Sequence, residues 1–208
     1  MSDDPKRAVL DAALARAAAA GFSEALLAKA ATEAGAPGGE RRLFPDGVPS
    51  LLEYYSSSVD AEMVRRLDAL NIRQLPIRKR IRMAVVTRLA ILAPHKEAVR
   101  RATAYLALPH NAALTARLVY GTTDAMWRAA GDLSTDFNFY TKRGILGAVY
   151  SATLVCWFAD NTADMRATTA FLDARIENVM QYEKLKKRVR EGTQAGMDQF
   201  CDLVRRKL

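Results

Sequence analysis

The side chains that most often carry chemistry are few in this sequence. The two histidines, His95 and His110, each follow a proline and read as surface residues of a helix's first turn. Two imidazoles are too few for a multi-histidine metal site. The two cysteines, Cys156 and Cys201, stand in unrelated contexts, which excludes a disulfide scaffold and a paired-cysteine metal knuckle. Cys156 lies in an apolar run and reads as a small core residue. The carboxylates are scattered. There is no nucleophile elbow, no phosphate-binding glycine loop, no dinucleotide fingerprint and no Glu-x-x-His pair of the di-iron type. The expectation is a non-enzyme with no catalytic residues, no metal and no cofactor.

Positive charge is the more informative feature. The formal net charge is +8, which favours polyanions: nucleic acid, an anionic membrane surface or an acidic partner. From Ala69 to Lys96 there is no acidic residue, and Arg73, Arg78, Lys79, Arg80, Arg82 and Arg88 fall in that window. They read either as a solvated helix face or as contacts to phosphate headgroups. From Lys184 to Leu208 eight cations face three acids, so +5 of the +8 sits there. Within it, Met197, Phe200, Cys201, Val204 and Leu208 form one helical stripe, flanked by Arg205, Arg206 and Lys207. This is a basic amphipathic helix able to lie in a membrane interface; the other reading is a docked C-terminal helix. Gly192 and Gly196 supply a hinge.

The elements behind these residues are helical. With 208 residues, abundant Ala and few Gly and Pro, the chain can bury a sizeable all-helical core. Apolar residues recur with period 3.6 throughout. Examples are Val9, Leu10, Ala13, Leu14 and Ala17, and then Leu51, Leu52, Tyr55, Val59, Met63, Leu67 and Leu70. A third stripe is Ile77, Ile81, Val85, Leu89 and Leu92. Further helices are expected over 95–108, 110–130 and 137–159, from Thr162, and from about Thr193 to the end. That makes a single all-α domain of nine to ten helices. The uncharged run Gly144–Ala159 is short of the roughly 20 residues a spanning helix needs and reads as a buried central helix. The acidic start MSDDPKRAVLDAAL reads as neither a signal nor a transit peptide.

The stretch GFSEALLAKAATEAGAPGGERRLFPDG looks like the DNA-binding end of TetR-type repressors. A DNA reading would place Arg41 and Arg42 in the major groove. Gly38 and Gly39 at its start and Pro45 at its end leave little more than one turn of recognition helix. The bounds read as a degenerate helix-turn-helix over 1–47, a helical core over 48–191 and a detachable helix over 192–208.

The segment GDLSTDFNFYTKRGILGAVYSAT, with ERRLFPDG and LALPHNA upstream and FLDARIENVMQYEK downstream, closely resembles the coenzyme Q biosynthesis protein nine family. The resemblance implies a TetR-like fold without transcription-factor activity and an apolar cavity for isoprenoid lipids, including ubiquinone intermediates. It also implies membrane association through a C-terminal amphipathic helix, and presentation of substrate to the di-iron demethoxyubiquinone hydroxylase. The family's partner surface maps onto Asp136, Phe139 and Tyr140, where many members carry Trp at the position of Phe139. A homodimer, phospholipid as a further ligand and a place in the bacterial cytoplasm, peripheral on the inner membrane, complete the expectation. A protein that carries an isoprenoid through water must hide it in an apolar cavity. The inward positions Leu114, Leu118 and Met126, then Leu146, Val149 and Leu154, then Leu172, Ile176 and Met180 are candidate walls of a cavity, or equally a filled core. The alternative function is a TetR-like regulator with an apolar ligand.

Overall fold

Each helix begins and ends where its sequence supplies a cap. In the computed structural model, which describes residues 4–132, 137–162 and 164–182, helix α1 spans Pro5–Ala20 and α2 spans Glu24–Glu33. Asp4 caps α1 by accepting from the Lys6 amide at 2.9 Å, and Ser23 caps α2 by accepting from the Leu26 amide at 3.2 Å. Helix α3, Glu40–Leu43, is a single turn. Helix α4, Val48–Ala69, starts at Gly47, whose φ of 68° suits glycine. A Cβ on Gly47 would stand 2.2 Å from the Glu24 carboxylate. That carboxylate accepts from the Val48 amide at 3.0 Å, so a negative group sits at the positive end of α4.

The chain then turns through Asn71, at φ 46°, and a 3-10 turn into α5, Ile77–Leu92. Helices α6, Lys96–Leu106, α7, Ala112–Ala129, and α8, Phe137–Ala159, follow, the first two each entered through a proline-containing 3-10 turn. A ninth helix, α9, covers residues 166–182. Helix α4 packs against α5 and α7, α7 against α8, and α1 against α2 and α6. One apolar cluster runs from Val9 through Met63, Leu89, Met126 and Trp157 to Leu172. The described residues form an all-α helical domain, as the periodicity implies.

Four details depart from the stripes. Leu70 is exposed, because it lies past the last turn of α4 where Asn71 swings the chain aside. Ile77 is exposed in the first turn of α5, and the buried stripe begins at Ile81. The run 144–159 is not buried all round: Gly144, Ala148, Ser151, Ala152 and Val155 form an exposed strip, with Val155 65% exposed. The helix expected from Thr162 starts later. Asp160 accepts from the Thr162 amide at 3.0 Å and the Thr168 amide at 2.8 Å, and Met165 takes φ 51°, so the chain bends before α9 begins. The C-terminal helix lies outside the described residues.

Candidate functional site

Helices α4 to α8 enclose a cavity of about 270 Å³. Its walls are mostly apolar, with Leu52 and Val59 from α4, Val99 from α6, Leu118 and Val119 from α7 and Leu154 from α8. Ala107, Ser151 and Val155 line it and are exposed, so they mark its mouth.

A polar cluster forms the buried side of the cavity. Arg88, only 5% exposed, donates its Nε–H to Asp60 Oδ1 at 2.7 Å. Its Nη2 reaches the Ser56 Oγ at 3.0 Å and the Thr122 Oγ1 at 3.2 Å, and Nη1 donates to the Tyr150 hydroxyl. The Thr122 hydroxyl closes the network on Asp60 Oδ2 at 2.9 Å. A buried guanidinium is tolerated only when matched in charge and in hydrogen bonds, and both conditions are met. Burial pushes the Tyr55 hydroxyl up to about 12 and raises Tyr150 as well, with Arg88 opposing in both cases. Both phenols are therefore protonated near neutral pH.

Arg88 does not belong to the solvated or headgroup-binding face expected for the acid-free window, whose Arg73, Arg78 and Lys79 are exposed. It stands seven residues after Ile81 and four before Leu92, on the inward stripe of α5. Within the same window, Arg80 donates to the Leu75 carbonyl at 2.6 Å and the Ala130 carbonyl at 2.8 Å, and Arg82 pairs with Asp173 at 2.6 Å. Asp60 and Ser56 belong to the same network. Their spacing to Met63 places them on the buried side of α4, a signal that was present in the sequence.

Of the nine candidate wall residues, Leu118 and Leu154 line the cavity. Met126, Leu146 and Leu172 belong to the main core, with Val149 and Ile176 packed against it. Leu114 is buried and Met180 half-buried. At the start of α8, Arg143, 2% exposed, donates to Asp124 at 2.7 Å and Asp132 at 3.4 Å, and Lys142 pairs with Asp132 at 2.8 Å. The Trp127 indole donates to the Lys142 carbonyl at 3.1 Å. This clamp fixes the first turns of α8 to the end of α7, beside an exposed Tyr140. Asp136, the Phe139 side chain, and the tail residues Met197, Phe200, Val204, Arg205, Arg206, Lys207 and Leu208 lie outside the described residues.

A second, more polar cleft of about 650 Å³ is bounded by Arg7, Glu62, Arg65, Arg66 and half-buried His95. The Arg65 guanidinium first, and Arg66 with it, holds the Glu62 carboxyl down to about 2. His110 is exposed in its 3-10 turn. No group of three or more His, Cys, Asp and Glu able to hold a metal occurs among the described residues. No helix among them is long and apolar enough to cross a membrane.

Comparison with known proteins fits the site region. The COQ9 family model matches residues 112–183, which hold α7 and α8. The human mitochondrial ubiquinone biosynthesis protein COQ9 is 31% identical over 194 residues, covering 90% of this chain and 61% of its own. The Bos taurus protein of that name is 30% identical with the same coverage. A probable ubiquinone biosynthesis protein coq9, mitochondrial, from Dictyostelium discoideum is 25% identical over 193 residues, covering 89% and 63%. The chain thus spans about 61% of the length of the first two relatives. These names overturn the expected bacterial cytoplasmic place on the inner membrane, since the relatives are named mitochondrial. That expectation rested on the composition of the first residues, which does not fix a compartment. The resemblance carried by the segment around Phe139 and Tyr140 holds along nine-tenths of the sequence, and the chain belongs to the COQ9 family.

Proposed function

We propose that this chain is a non-enzymatic accessory protein of ubiquinone biosynthesis. It binds isoprenoid quinone intermediates, or phospholipid, in the cavity between α4 and α8 and presents them to the demethoxyubiquinone hydroxylase. The observation that carries the reading is an apolar cavity of about 270 Å³ opening at the surface beside α8. The names of the relatives support the pathway. The hydroxylase meets the start of α8, where Tyr140 is exposed and the Arg143 clamp sets its direction. The basic tail attaches the protein to an anionic membrane. A second copy packs on the Gly144 and Ala148 end of the exposed strip of α8, clear of the cavity mouth, completing a homodimer. No observation favours the regulator: α3 is one turn long, and Arg41 is engaged by Glu24 at 3.3 Å.

The test is capture of the hydroxylase by the full chain. Phe139→Ala with Tyr140→Ala should weaken capture at least tenfold, with unchanged far-ultraviolet circular dichroism, if a hot spot lies there (roughly 2 kcal/mol or more). Undiminished capture would remove the hydroxylase from the proposal.

A further inference from the structure

The polar side of the cavity is already satisfied in charge. Arg88 and Asp60 cancel each other, and Ser56 and Thr122 complete their shell. An anionic headgroup arriving there would have to separate a buried ion pair. The threonine hydroxyls along the wall are also spent: Thr103 donates to the Val99 carbonyl at 3.0 Å and Thr115 to the Leu106 carbonyl at 2.7 Å.

What remains is hydrogen-bond donors. The Tyr55 side chain is more than nine-tenths buried in the wall between this cavity and the Arg7 cleft, and its hydroxyl has no hydrogen-bond partner. The Tyr150 oxygen accepts from Arg88, which leaves its own O–H proton to donate. Tyr55, Tyr150 and Arg88 line the same cavity, and Arg88 and then Tyr150 are the charged or titrating neighbours that Tyr55 feels most. Buried donors of this kind call for an acceptor, and an unsatisfied one needs an explanation.

We infer that the cavity takes an amphiphile head first, with a neutral carbonyl oxygen accepting from the Tyr55 and Tyr150 hydroxyls and the chain leaving past Ala107, Ser151 and Val155. The inference rests on the lipid-binding reading above, adds the orientation and the chemistry of the head, and makes presentation a release step, since the ring must leave the cavity before the hydroxylase reaches it. At about 270 Å³ the cavity is slightly smaller than the roughly 300–1,000 Å³ of pockets that enclose a drug-sized ligand, so it holds one end of a long molecule. A quinone and an acyl ester both carry the required oxygen, whereas a fatty carboxylate carries a charge that the Arg88–Asp60 pair does not complement.

The experiment is calorimetric titration of the full chain with three probes of matched chain length: an alkyl benzoquinone, a fatty methyl ester and a free fatty carboxylate. The unaltered chain should bind a carbonyl probe at least roughly tenfold more tightly than the carboxylate, and the tighter carbonyl probe identifies the source of the head. Tyr55→Phe should weaken that probe by roughly three- to tenfold, the loss of one neutral hydrogen bond, and leave the carboxylate unchanged. The ligand-free Tyr55→Phe chain should melt higher, because a lone buried hydroxyl has gone. Equal binding of all three probes, unaffected by Tyr55→Phe, overturns head-first recognition and leaves lipid binding standing. Preference for the carboxylate overturns the neutral head. If none of the probes binds the unaltered chain, the lipid-binding reading itself fails.

Discussion

A guanidinium taken out of water must be matched group for group, and Arg88 is matched by Asp60, Tyr150, Ser56 and Thr122. Removing one partner leaves an uncompensated charge, so Asp60→Ala should cost about 3–5 kcal/mol in urea unfolding. Arg88→Met with Asp60→Leu should recover most of that loss, since an apolar pair of similar volume needs no partner. If the double variant is no more stable than Asp60→Ala, the pair is not what the single change disrupts. Exposed pairs such as Arg117–Glu53 contribute about 0–1 kcal/mol by contrast. Asp160 gives a residue-scale pH dependence. Bonds from the Thr162 hydroxyl first, then from the Thr162 and Thr168 amides and the Thr168 hydroxyl, hold its carboxyl well below the usual range. Its folded value is depressed, so its contribution is full above the unfolded value near roughly 4 and is lost as pH falls through the folded one. Asp160→Asn should lower the melting temperature at neutral pH and leave it less dependent on pH below roughly 4; an unchanged acid limb would count against this cap. Arg88 was legible in part. Its spacing from Ile81 puts it inward, but Asp60 lies 28 residues away and no local pattern links the two.

At the scale of elements, what the sequence reveals depends on whether a signal is local. Ser23, Gly38, Gly39, Pro45 and Gly47 punctuate the chain, and α2, the single-turn α3 and the start of α4 follow them. The bounds of α8 agree with its apolar run, but periodicity did not show that one side of it is exposed, because alanine and glycine suit either environment. A second copy on the Gly144 and Ala148 end of that strip predicts that Ala148→Arg converts a dimer into a monomer in sedimentation at an unchanged helical content. A monomeric unaltered chain would contradict the assembly. The tail carries its own expectation. Each cation near an anionic leaflet contributes about 1 kcal/mol, and the apolar stripe adds to that. Removing residues 193–208 should abolish flotation with anionic vesicles and leave the thermal melt of the helical domain in place. Flotation of the shortened chain at full strength would move the membrane contact to the exposed Arg78 and Lys79.

For the whole molecule, the division between packed core and cavity is invisible to hydrophobic pattern, because both demand apolar residues. Leu154 and Leu172 occupy equivalent inward positions in the sequence, yet Leu154 lines the cavity and Leu172 is fully enclosed by the core. The difference arises from how five helices meet around a satisfied polar cluster, a long-range outcome. It also separates the effects of enlarging each side chain. In a filled site overpacking costs roughly 1–3 kcal/mol or more, whereas a cavity accepts the added volume at the expense of its ligand. The most direct measurement is mass spectrometry of lipids extracted from the purified chain and from its Leu154→Trp and Leu172→Trp variants, each with a thermal melt. The unaltered chain should carry an isoprenoid quinone or phospholipid, Leu154→Trp should fold and carry much less, and Leu172→Trp should be strongly destabilised. An unaltered chain free of lipid, or a Leu154→Trp chain that folds and carries as much lipid as before, would contradict lipid binding in this cavity.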